Sequence, residues 1–303
     1  ISEDGFLMDE QSEELAALGS LKLNGNIYSY YHDFETYLIM GTDKTGADSK
    51  VYQGSMSDFL MLVIVDKTDG TYSFLQFNRD TMTEISLINH DGKGAATATI
   101  QLCTAHWYGG NAGQSCANTV ESISKLFGGL KIDGYYAIPM DEIPKLNHSV
   151  GGVTVTLLED FQDIDRQMKK GETLALSDEQ AYRYIHDRYG VGDEKNTSRM
   201  KRQQQYMEAF FTKAKEKAKS DKAYVGQLFR EFEQTATTNL TAKKISGLTN
   251  RLIKGTQKGF FEIKGTSKIG KALGDGIDHA EFYPDKESII DVMTKIYGLK
   301  KRE

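Results

Sequence analysis

The sequence predicts an α/β fold, an α-β-α sandwich with a central mixed sheet covered by helices on both faces. Strand and helix patterns alternate in the middle of the chain, an order typical of a sheet packed between helices. Two strands in the first third are close enough in sequence for an antiparallel hairpin. The 303 residues are 39% hydrophobic and 10% aromatic, which is enough for a sizeable core.

The composition favours one domain over residues 21–303, after a residual N-terminal segment at 1–20. Only three prolines occur, and no Pro/Ser-rich linker separates two halves. The chain begins at Ile1 rather than Met, so we expect that an N-terminal anchor is missing from it. A net charge of −6 and a pI near 5.6 argue against a nucleic-acid binder, which needs a broad basic surface.

The predicted core hairpin is the most informative part of the first third. Phe59–Val65 is an unbroken apolar run, too short to span a bilayer and typical of a strand buried on both faces. Thr71–Phe77 is the second strand, and Gly70 ends the tight connection between them. Leu21–Tyr31 is predicted as an irregular first strand and Thr36–Met40 as a short second one.

Helices and strands should then alternate to the end of the chain. The predicted helices are Ala95–His106, Asn118–Phe127, Asp141–Ser149, Asp178–Asp187, a helix from about Ser198, Lys213–Lys222, Val225–Thr235, Ala242–Lys254 and Asp285–Tyr297. The predicted strands are Gly134–Ile138, Val153–Leu157, Phe260–Ile263 and His279–Phe282. Residues 82–94 are predicted to be irregular.

The open end of the hairpin carries charge at both corners. Asp58 precedes the first strand, and Arg79-Asp80 follows the second. Asp43 follows the Thr36–Met40 strand, so Asp43 and Asp58 meet if their strands are neighbours, and two carboxylates suit a magnesium ion. Alternatively, these charged residues are ordinary solvated ends of strands.

A second cluster lies between residues 177 and 206. Ser177 and Gln180 have the form of a capping box. In the next helix Arg199, Arg202 and Gln203 share one face near the first turn. Arginines are unfavourable there unless an anion such as pyrophosphate binds among them. The alternative is surface pairing with nearby acids.

The two cysteines, Cys103 and Cys116, allow two interpretations. In an exported protein we expect them to form a disulfide. In a cytosolic protein they would be two buried thiols. Neither cysteine belongs to a CxxC pair, which argues against a zinc site. The sequence also lacks GxSxG, HExxH, GxxxxGK[ST] and GxGxxG motifs, which argues against the enzyme classes that depend on them.

The ordered set of motifs resembles the LytR-CpsA-Psr family from about Thr36 to Phe210, and more loosely to the C-terminus. The motifs that carry this resemblance are Ser57-Asp58, Arg79-Asp80, Tyr108-Gly109-Gly110, the Asp133–Tyr136 strand, the Val150–Thr154 turn, Leu176–Arg188, Arg199–Gln203 and Glu281–Asp285.

The resemblance implies an enzyme on the extracellular face of the bacterial cytoplasmic membrane, anchored by an N-terminal helix absent from this chain. It would be a phosphotransferase that moves wall teichoic acid, capsular or related polysaccharide from a polyprenyl-pyrophosphate carrier to peptidoglycan. The fold that it implies is an α-β-α sandwich with an apolar pocket for the polyprenyl tail. Alternatives are a polyprenyl-phosphate-binding scaffold or regulator without turnover, and a pyrophosphate hydrolase.

The resemblance also assigns residues. Asp43 and Asp58 match the acids that coordinate Mg²⁺, with Mn²⁺ as a substitute, and Arg79 matches an arginine on the pyrophosphate. Arg188, Arg199, Arg202 and Gln203 match the other head-group contacts, and His186, at a position where the family has arginine, is a further head-group candidate. The catalytic group would then be Asp58, Arg79 and Asp80, with Asp58 or Asp80 accepting the proton of a sugar hydroxyl.

Three positions depart from the family pattern. His186 replaces the first arginine of an Arg-x-Arg pair, Asn196 replaces an acid, and Asn78 replaces a proline before Arg-Asp. A histidine is charged only below about pH 6.5, so head-group binding should be weaker or pH-dependent, or the acceptor different.

Overall fold

The computed structural model describes residues 19–43, 54–89 and 91–302. Its strands are β1 Ser20–Leu23, β2 Asn26–Ser29, β3 Phe34–Thr42, β4 Ser57–Asp66, β5 Thr71–Gln76, β6 Met82–Ile88, β7 Gly94–Gln101, β8 Gly134–Pro139, β9 Thr154–Thr156, β10 Thr173–Ala175, β11 Thr237–Thr238, β12 Thr256–Glu262, β13 Gly265–Gly270, β14 His279–Pro284 and β15 Lys300–Lys301. Its α-helices are α1 Ala112–Leu126, α2 Ile143–Ser149, α3 Asp178–His186, α4 Asn196–Ser220, α5 Tyr224–Phe232, α6 Ala242–Lys254 and α7 Lys286–Tyr297. Two 3-10 helices span Leu102–Trp107 and Met140–Glu142.

The chain forms two compact units. The first comprises residues up to 137 together with 237–240 and 255–303, and the second comprises residues 138–236 and 241–254. One domain over residues 21–303 stays a prediction, and most of the predicted 1–20 segment lies outside the described residues. Across the described part of the chain, no helix is both long and apolar enough to cross a membrane.

The first unit is built on a six-stranded sheet. Its strand order is β11-β8-β3-β4-β5-β12. β4 pairs antiparallel with both β3 and β5, whereas β12 pairs parallel with β5. The predicted α/β class with a central mixed sheet is therefore confirmed.

The long apolar run in β4 reflects burial on both faces of the sheet. All ten residues of β4 are buried. Leu60, Leu62 and Ile64 share a core with Leu126 of α1 and Met293 of α7. The alternate residues of β4 point to the opposite face and are also buried, as expected for a central strand covered on both sides.

The β4–β5 hairpin follows the sequence prediction. Asp66 pairs with Thr71, and Gly70 adopts the positive φ of 68° that a residue with a side chain avoids. Beyond β5, the Phe77 backbone N–H still donates to the Leu60 carbonyl at 2.9 Å. The antiparallel arrangement therefore brings the start of β4 beside the residues that follow β5.

The predicted first strand at 21–31 is wrong, because this segment forms a hairpin of two strands. Asn24 and Gly25 occupy the turn with φ values of 49° and 73°. Asn-Gly is the residue pair that favours a two-residue hairpin turn with both φ values positive. The Asn-Gly pair was present in the sequence, but its two flanking strands have only four residues each, too few to show a clear alternating pattern.

The prediction for residues 82–106 is also wrong. Instead of an irregular segment and a helix, β6 and β7 form a hairpin, and the 3-10 helix Leu102–Trp107 follows. Ile85 and Ile100 are buried with Ala105 in a small core of their own. The alanines of β7 favour a helix locally, but pairing with β6 overrides that weak preference.

The second unit contains the predicted capping box. Ser177 Oγ accepts from the Gln180 backbone N–H, and the Gln180 side chain accepts from the Ser177 backbone N–H. This box begins α3 at Asp178, as the sequence predicts. The predicted helices from about Ser198 and at 213–222 are one helix, α4.

His32 forms an ion pair near the turn of the β4–β5 hairpin. Its Nδ1 lies 2.7 Å from Asp66 Oδ2 and 3.5 Å from Asp69 Oδ1. The hydrogen bond to Asp66, followed by the charge of that carboxylate, raises the pKa of His32. Lys258 Nζ lies 3.6 Å from Asp69 and 3.8 Å from Asp66, and its positive charge opposes this shift.

We expect His32 to stabilise the fold at low rather than high pH. A raised pKa means that the contribution is complete below about pH 6.5 and is lost as the pH rises through the higher folded-state pKa. Urea midpoints should fall more for His32→Gln than for the control His148→Gln at pH 6, and the difference should vanish at pH 9. Equal effects at both pH values would contradict this expectation.

Candidate functional site

A charged corner lies where β4 begins and the chain leaves β5. Asn78 fixes the turn after β5: its Oδ1 accepts from the Asp80 backbone N–H at 3.0 Å, and its carbonyl accepts from the Thr81 N–H at 3.0 Å. A side chain that accepts a bond two residues on forms an Asx turn. Asn78 therefore fixes the backbone before Arg79 by a hydrogen bond, at the position where a proline ring would fix it by geometry.

Arg79 is the centre of this corner. Its Nη1 donates to Asp58 Oδ1, and its Nε lies 3.6 Å from Asp80 Oδ1. The exposed fractions of the side chains are 15% for Arg79, 6% for Asp58 and 12% for Asp80. The structure thus brings together the three residues that the sequence predicts as catalytic.

The charge of Arg79 persists in this poorly solvated position. Burial favours the neutral guanidine, but the Cys103 sulfur, ionised at the alkaline pH where arginine titrates, and the carboxylates of Asp58 and Asp80 outweigh it and raise the pKa above the ordinary arginine value. The guanidinium therefore remains a permanent cation at any physiological pH.

Asp43 lies at the same edge because β3 and β4 are neighbours. The Asp43 backbone N–H donates to the Met56 carbonyl at 2.9 Å, just beyond the pairing of Thr42 with Ser57. The nearest carboxylate oxygens of Asp43 and Asp58 lie within 4.8 Å of one another. Mg²⁺ binds oxygen at about 2.1 Å, so two of its ligands lie roughly 3 to 4 Å apart, and a small side-chain rotation suffices here.

The charges of the corner also suit a divalent cation. Asp43, Asp58 and Asp80 provide three carboxylates beside the guanidinium of Arg79. Such a group repels a pyrophosphate unless further positive charge is present. The donor set therefore fits magnesium, and manganese accepts the same oxygen ligands.

In the second unit, three predicted head-group residues bond to the end of α3. Arg202 donates to the Tyr184 carbonyl and, at 2.7 Å, to the Asp187 carbonyl. Gln203 Nε2 donates to the Ile185 carbonyl at 3.1 Å. The last carbonyls of a helix have no partner within it, so these side chains cap the C-terminal end of α3.

Arg199 belongs to the same arrangement. Its Nη1 donates to the His186 carbonyl at 3.3 Å, and its Nη2 donates to Asn196 Oδ1 at 2.8 Å. Asn196 thus accepts from this guanidinium at the position where the family pattern has an acid. An amide oxygen replaces the carboxylate as the local partner.

Arg202 is surrounded on every side. Its side chain is 1% exposed, and its Nε lies 2.7 Å from Glu159 Oε2. The rings of Phe161 and Tyr184 lie 5.1 and 5.9 Å from its guanidinium carbon. Burial lowers its pKa, against the opposing effect of the Glu159 charge.

The C-terminal end of α3, which carries partial negative charge, explains why arginines are tolerated at the N-terminal end of α4, which carries partial positive charge. The sequence pattern called for a negative group beside these side chains, and the carbonyls of residues 184–187 supply it. The predicted contact of these side chains with pyrophosphate stays a prediction for Arg199, Arg202 and Gln203.

His186 and Arg188 are more accessible. The His186 ring stacks on Tyr182 at 4.6 Å, and its Nδ1 lies 3.2 Å from Asp187 Oδ1. The Arg188 guanidinium lies over the Tyr189 ring at 4.6 Å. Both side chains are only partly buried, so their predicted head-group role stays open to test.

The disulfide expectation is wrong, because Cys103 and Cys116 are both free and buried. Cys103 Sγ accepts from Arg79 Nη2 at 3.2 Å, and Cys116 Sγ lies 3.5 Å from His106 Nε2. The contact between Cys103 and Arg79 was not predicted, because a sequence carries no signal for a thiol that contacts a guanidinium.

Comparisons with known proteins agree with this fold. The model of the LytR_cpsA_psr family matches residues 7–295. The structure of protein gbs0355 from Streptococcus agalactiae is similar, with a TM-score of 0.69 and 21% identity over 89% of this chain and 90% of that one. TagV from B. subtilis has a TM-score of 0.61 and 20% identity over 88% and 96% of the two chains. TagT bound to LI-WTA has a TM-score of 0.61 and 18% identity over 87% and 91%. No curated protein matches the sequence.

Removal of Arg202 should destabilise the second unit strongly. Arg202→Ala leaves the buried Oε2 of Glu159 without its cation and two carbonyls without donors, which costs about 3 to 5 kcal/mol. The control Arg183→Ala breaks an exposed pair with Glu179 and should cost less than about 1 kcal/mol. Urea unfolding curves of the two variants measure the difference, and similar losses would show that Arg202 does not have this role.

Proposed function

The chain belongs to the LytR-CpsA-Psr family, whose members transfer cell-wall glycopolymers, and we therefore propose that it joins a glycopolymer to peptidoglycan. The donor would be the polyprenyl-pyrophosphate-linked glycan, and the product a phosphodiester. The observation that carries the proposal is the charged, largely desolvated Arg79 between Asp58 and Asp80. The LI-WTA bound to the similar TagT supports a glycopolymer as the class of substrate.

The reaction needs charge compensation more than covalent help. An acceptor hydroxyl oxygen forms a bond to the phosphorus that carries the glycan, and the bond from that phosphorus to the bridging oxygen breaks. Polyprenyl phosphate leaves with the electron pair. Arg79 would bind the leaving phosphate and offset the charge that builds on it, an effect that is strong where water is excluded.

The acceptor hydroxyl must also lose its proton. Asp58 and Asp80 both lie at Arg79, so either carboxylate is close to the bound phosphate under this proposal. One of them would accept the proton as the new bond forms. The ion pairs with Arg79 hold both side chains in fixed orientations, which favours a single reacting geometry.

Asp43 and Asp58 would hold Mg²⁺, or Mn²⁺ in its place. The bound ion would supply positive charge to the pyrophosphate oxygens. His186 and Arg188 are the accessible head-group candidates of the second unit. Arg199, Arg202 and Gln203 would affect binding indirectly, by fixing the end of α3, which lies two residues before Arg188.

The proposed location is the extracellular face of the bacterial cytoplasmic membrane, where both the lipid carrier and peptidoglycan are present. An N-terminal helix would anchor the protein there. The two alternatives, a lipid-binding scaffold and a pyrophosphate hydrolase, predict different products, so one assay separates them.

Arg79→Ala should lower transfer about 10²- to 10³-fold, because one fixed positive group at a developing charge contributes roughly that much. The assay combines a synthetic polyprenyl-pyrophosphate glycan, peptidoglycan fragments and magnesium, with product analysis by mass spectrometry. Arg183→Ala, an exposed arginine in the second unit, is the matched control.

Each alternative has its own outcome in that assay. A glycan-phosphate adduct on peptidoglycan that Arg79→Ala abolishes supports the transferase. Free phosphorylated glycan without acceptor would instead indicate a hydrolase. Carrier binding with no product under any condition would indicate a scaffold.

Removal of divalent cations should stop transfer. Asp43→Asn weakens one of the two proposed ligands, so the variant should need a higher magnesium concentration for half-maximal transfer. Saturating magnesium should restore much of its rate. Asp69→Asn, an acidic residue in the turn between β4 and β5, is the control. Full activity in EDTA would refute the metal assignment.

A further inference from the structure

Two sulfur atoms contact Arg79 beside its carboxylates. Arg79 Nη2 donates to Met56 Sδ and, at 3.2 Å, to Cys103 Sγ. Met56 directly precedes β4, and Cys103 lies in the 3-10 helix Leu102–Trp107. The Asp58 side chain bonds to the other terminal nitrogen, Nη1. Acceptors from two segments of the chain, the start of β4 and the 3-10 helix, therefore fix the plane of the guanidinium.

The backbone of Cys103 also holds the Arg79 segment. The Cys103 N–H donates to the Arg79 carbonyl at 2.9 Å, and the neighbouring Leu102 N–H donates to the Thr81 carbonyl at 2.7 Å. The same residue thus contacts both ends of Arg79, the main chain and the guanidinium. Its backbone bonds fix where the thiol lies relative to Nη2.

The thiol is suited to hold a guanidinium without neutralising it. Cys103 is 2% exposed, and burial raises its pKa to about 11, so it is uncharged at neutral pH. A neutral sulfur is a weak acceptor, whereas a carboxylate accepts strongly and adds negative charge. The sulfur can therefore orient Nη2 while competing only weakly with a phosphate oxygen for its N–H groups.

We propose that Cys103 is a positioning residue, whose thiol, beside Met56 Sδ, orients Nη2 of Arg79 toward an incoming phosphate. This proposal rests on the proposed function, since it assumes that Arg79 binds the pyrophosphate. Cys103 takes no part in bond making. It keeps the guanidinium in the plane that the leaving phosphate requires.

Cys116 provides a matched control within the same unit. It is also a buried free cysteine, but its Sγ lies beside His106 Nε2 at 3.5 Å. Cys116→Ala removes a buried sulfur as Cys103→Ala does, so both variants create a similar cavity. Only Cys103→Ala removes an acceptor from Arg79.

We expect Cys103→Ala to lower kcat about 10- to 100-fold, with KM for the carrier changed less than about threefold, because misalignment acts mainly on the transition state. Cys103→Ser keeps an acceptor and should recover most of the lost kcat. Cys116→Ala should retain the wild-type kcat. Thermal midpoints of all variants confirm that they are folded.

A second measurement does not depend on turnover. In ¹⁵N NMR spectra, the two terminal nitrogens of Arg79 exchange by rotation about the Cζ–Nε bond, and contacts at Nη1 and Nη2 slow this exchange. The signals are assigned by their loss in Arg79→Lys. Exchange should accelerate severalfold in Cys103→Ala, but not in Cys116→Ala.

The combined outcomes separate the two proposals. If the wild type transfers glycan and Cys103→Ala keeps its kcat and exchange rate, the positioning role is overturned while the function stands. A Cys103→Ser variant as impaired as Cys103→Ala would also overturn it, because shape rather than an acceptor would then matter. If the wild type fails to transfer, the proposed function is overturned, and the NMR exchange rate still decides whether Cys103 holds Arg79.

Discussion

A guanidinium that leaves water must find partners, and this constraint shapes each unit separately. In the first unit, Arg79 lies among two carboxylates and two sulfurs. In the second, Arg202 lies among backbone carbonyls, Glu159 and aromatic rings. An unpaired buried charge costs several kcal/mol. The segments that supply the partners of each arginine are therefore held in place around it.

The two arginines differ in what their partners permit. The carbonyls around Arg202 belong to the end of a helix and would be left without donors if Arg202 moved. The sulfurs around Arg79 are weak acceptors that compete little with a phosphate oxygen for its N–H groups. This contrast separates an arginine that maintains a fold from one that is able to exchange partners with a ligand.

Two of the departures from the family pattern keep the local geometry. Asn78 supplies by an Asx turn the rigidity that a proline would supply by its ring. Asn196 supplies a neutral amide oxygen to Arg199 at the position where an acid would supply a carboxylate oxygen. Neither replacement removes a partner, so neither argues for a protein that has lost its chemistry. His186 differs, because an imidazole replaces a permanent cation.

The sequence by itself determined the β4–β5 hairpin, its charged corner, the capping box of α3 and the family. Each depends on local order or on apolar runs, which a sequence displays directly. It did not determine the β6–β7 hairpin, the free thiols or the partners of Arg202. Only the tertiary structure decided those. Pairing with β6 overrides the local helix preference of β7, and the partners of the thiols and of Arg202 are distant in sequence: Cys103 lies 24 residues from Arg79. A local sequence pattern is a poor guide to whether a charged side chain is buried. It carries no information on which distant atoms form its hydrogen bonds and ion pairs.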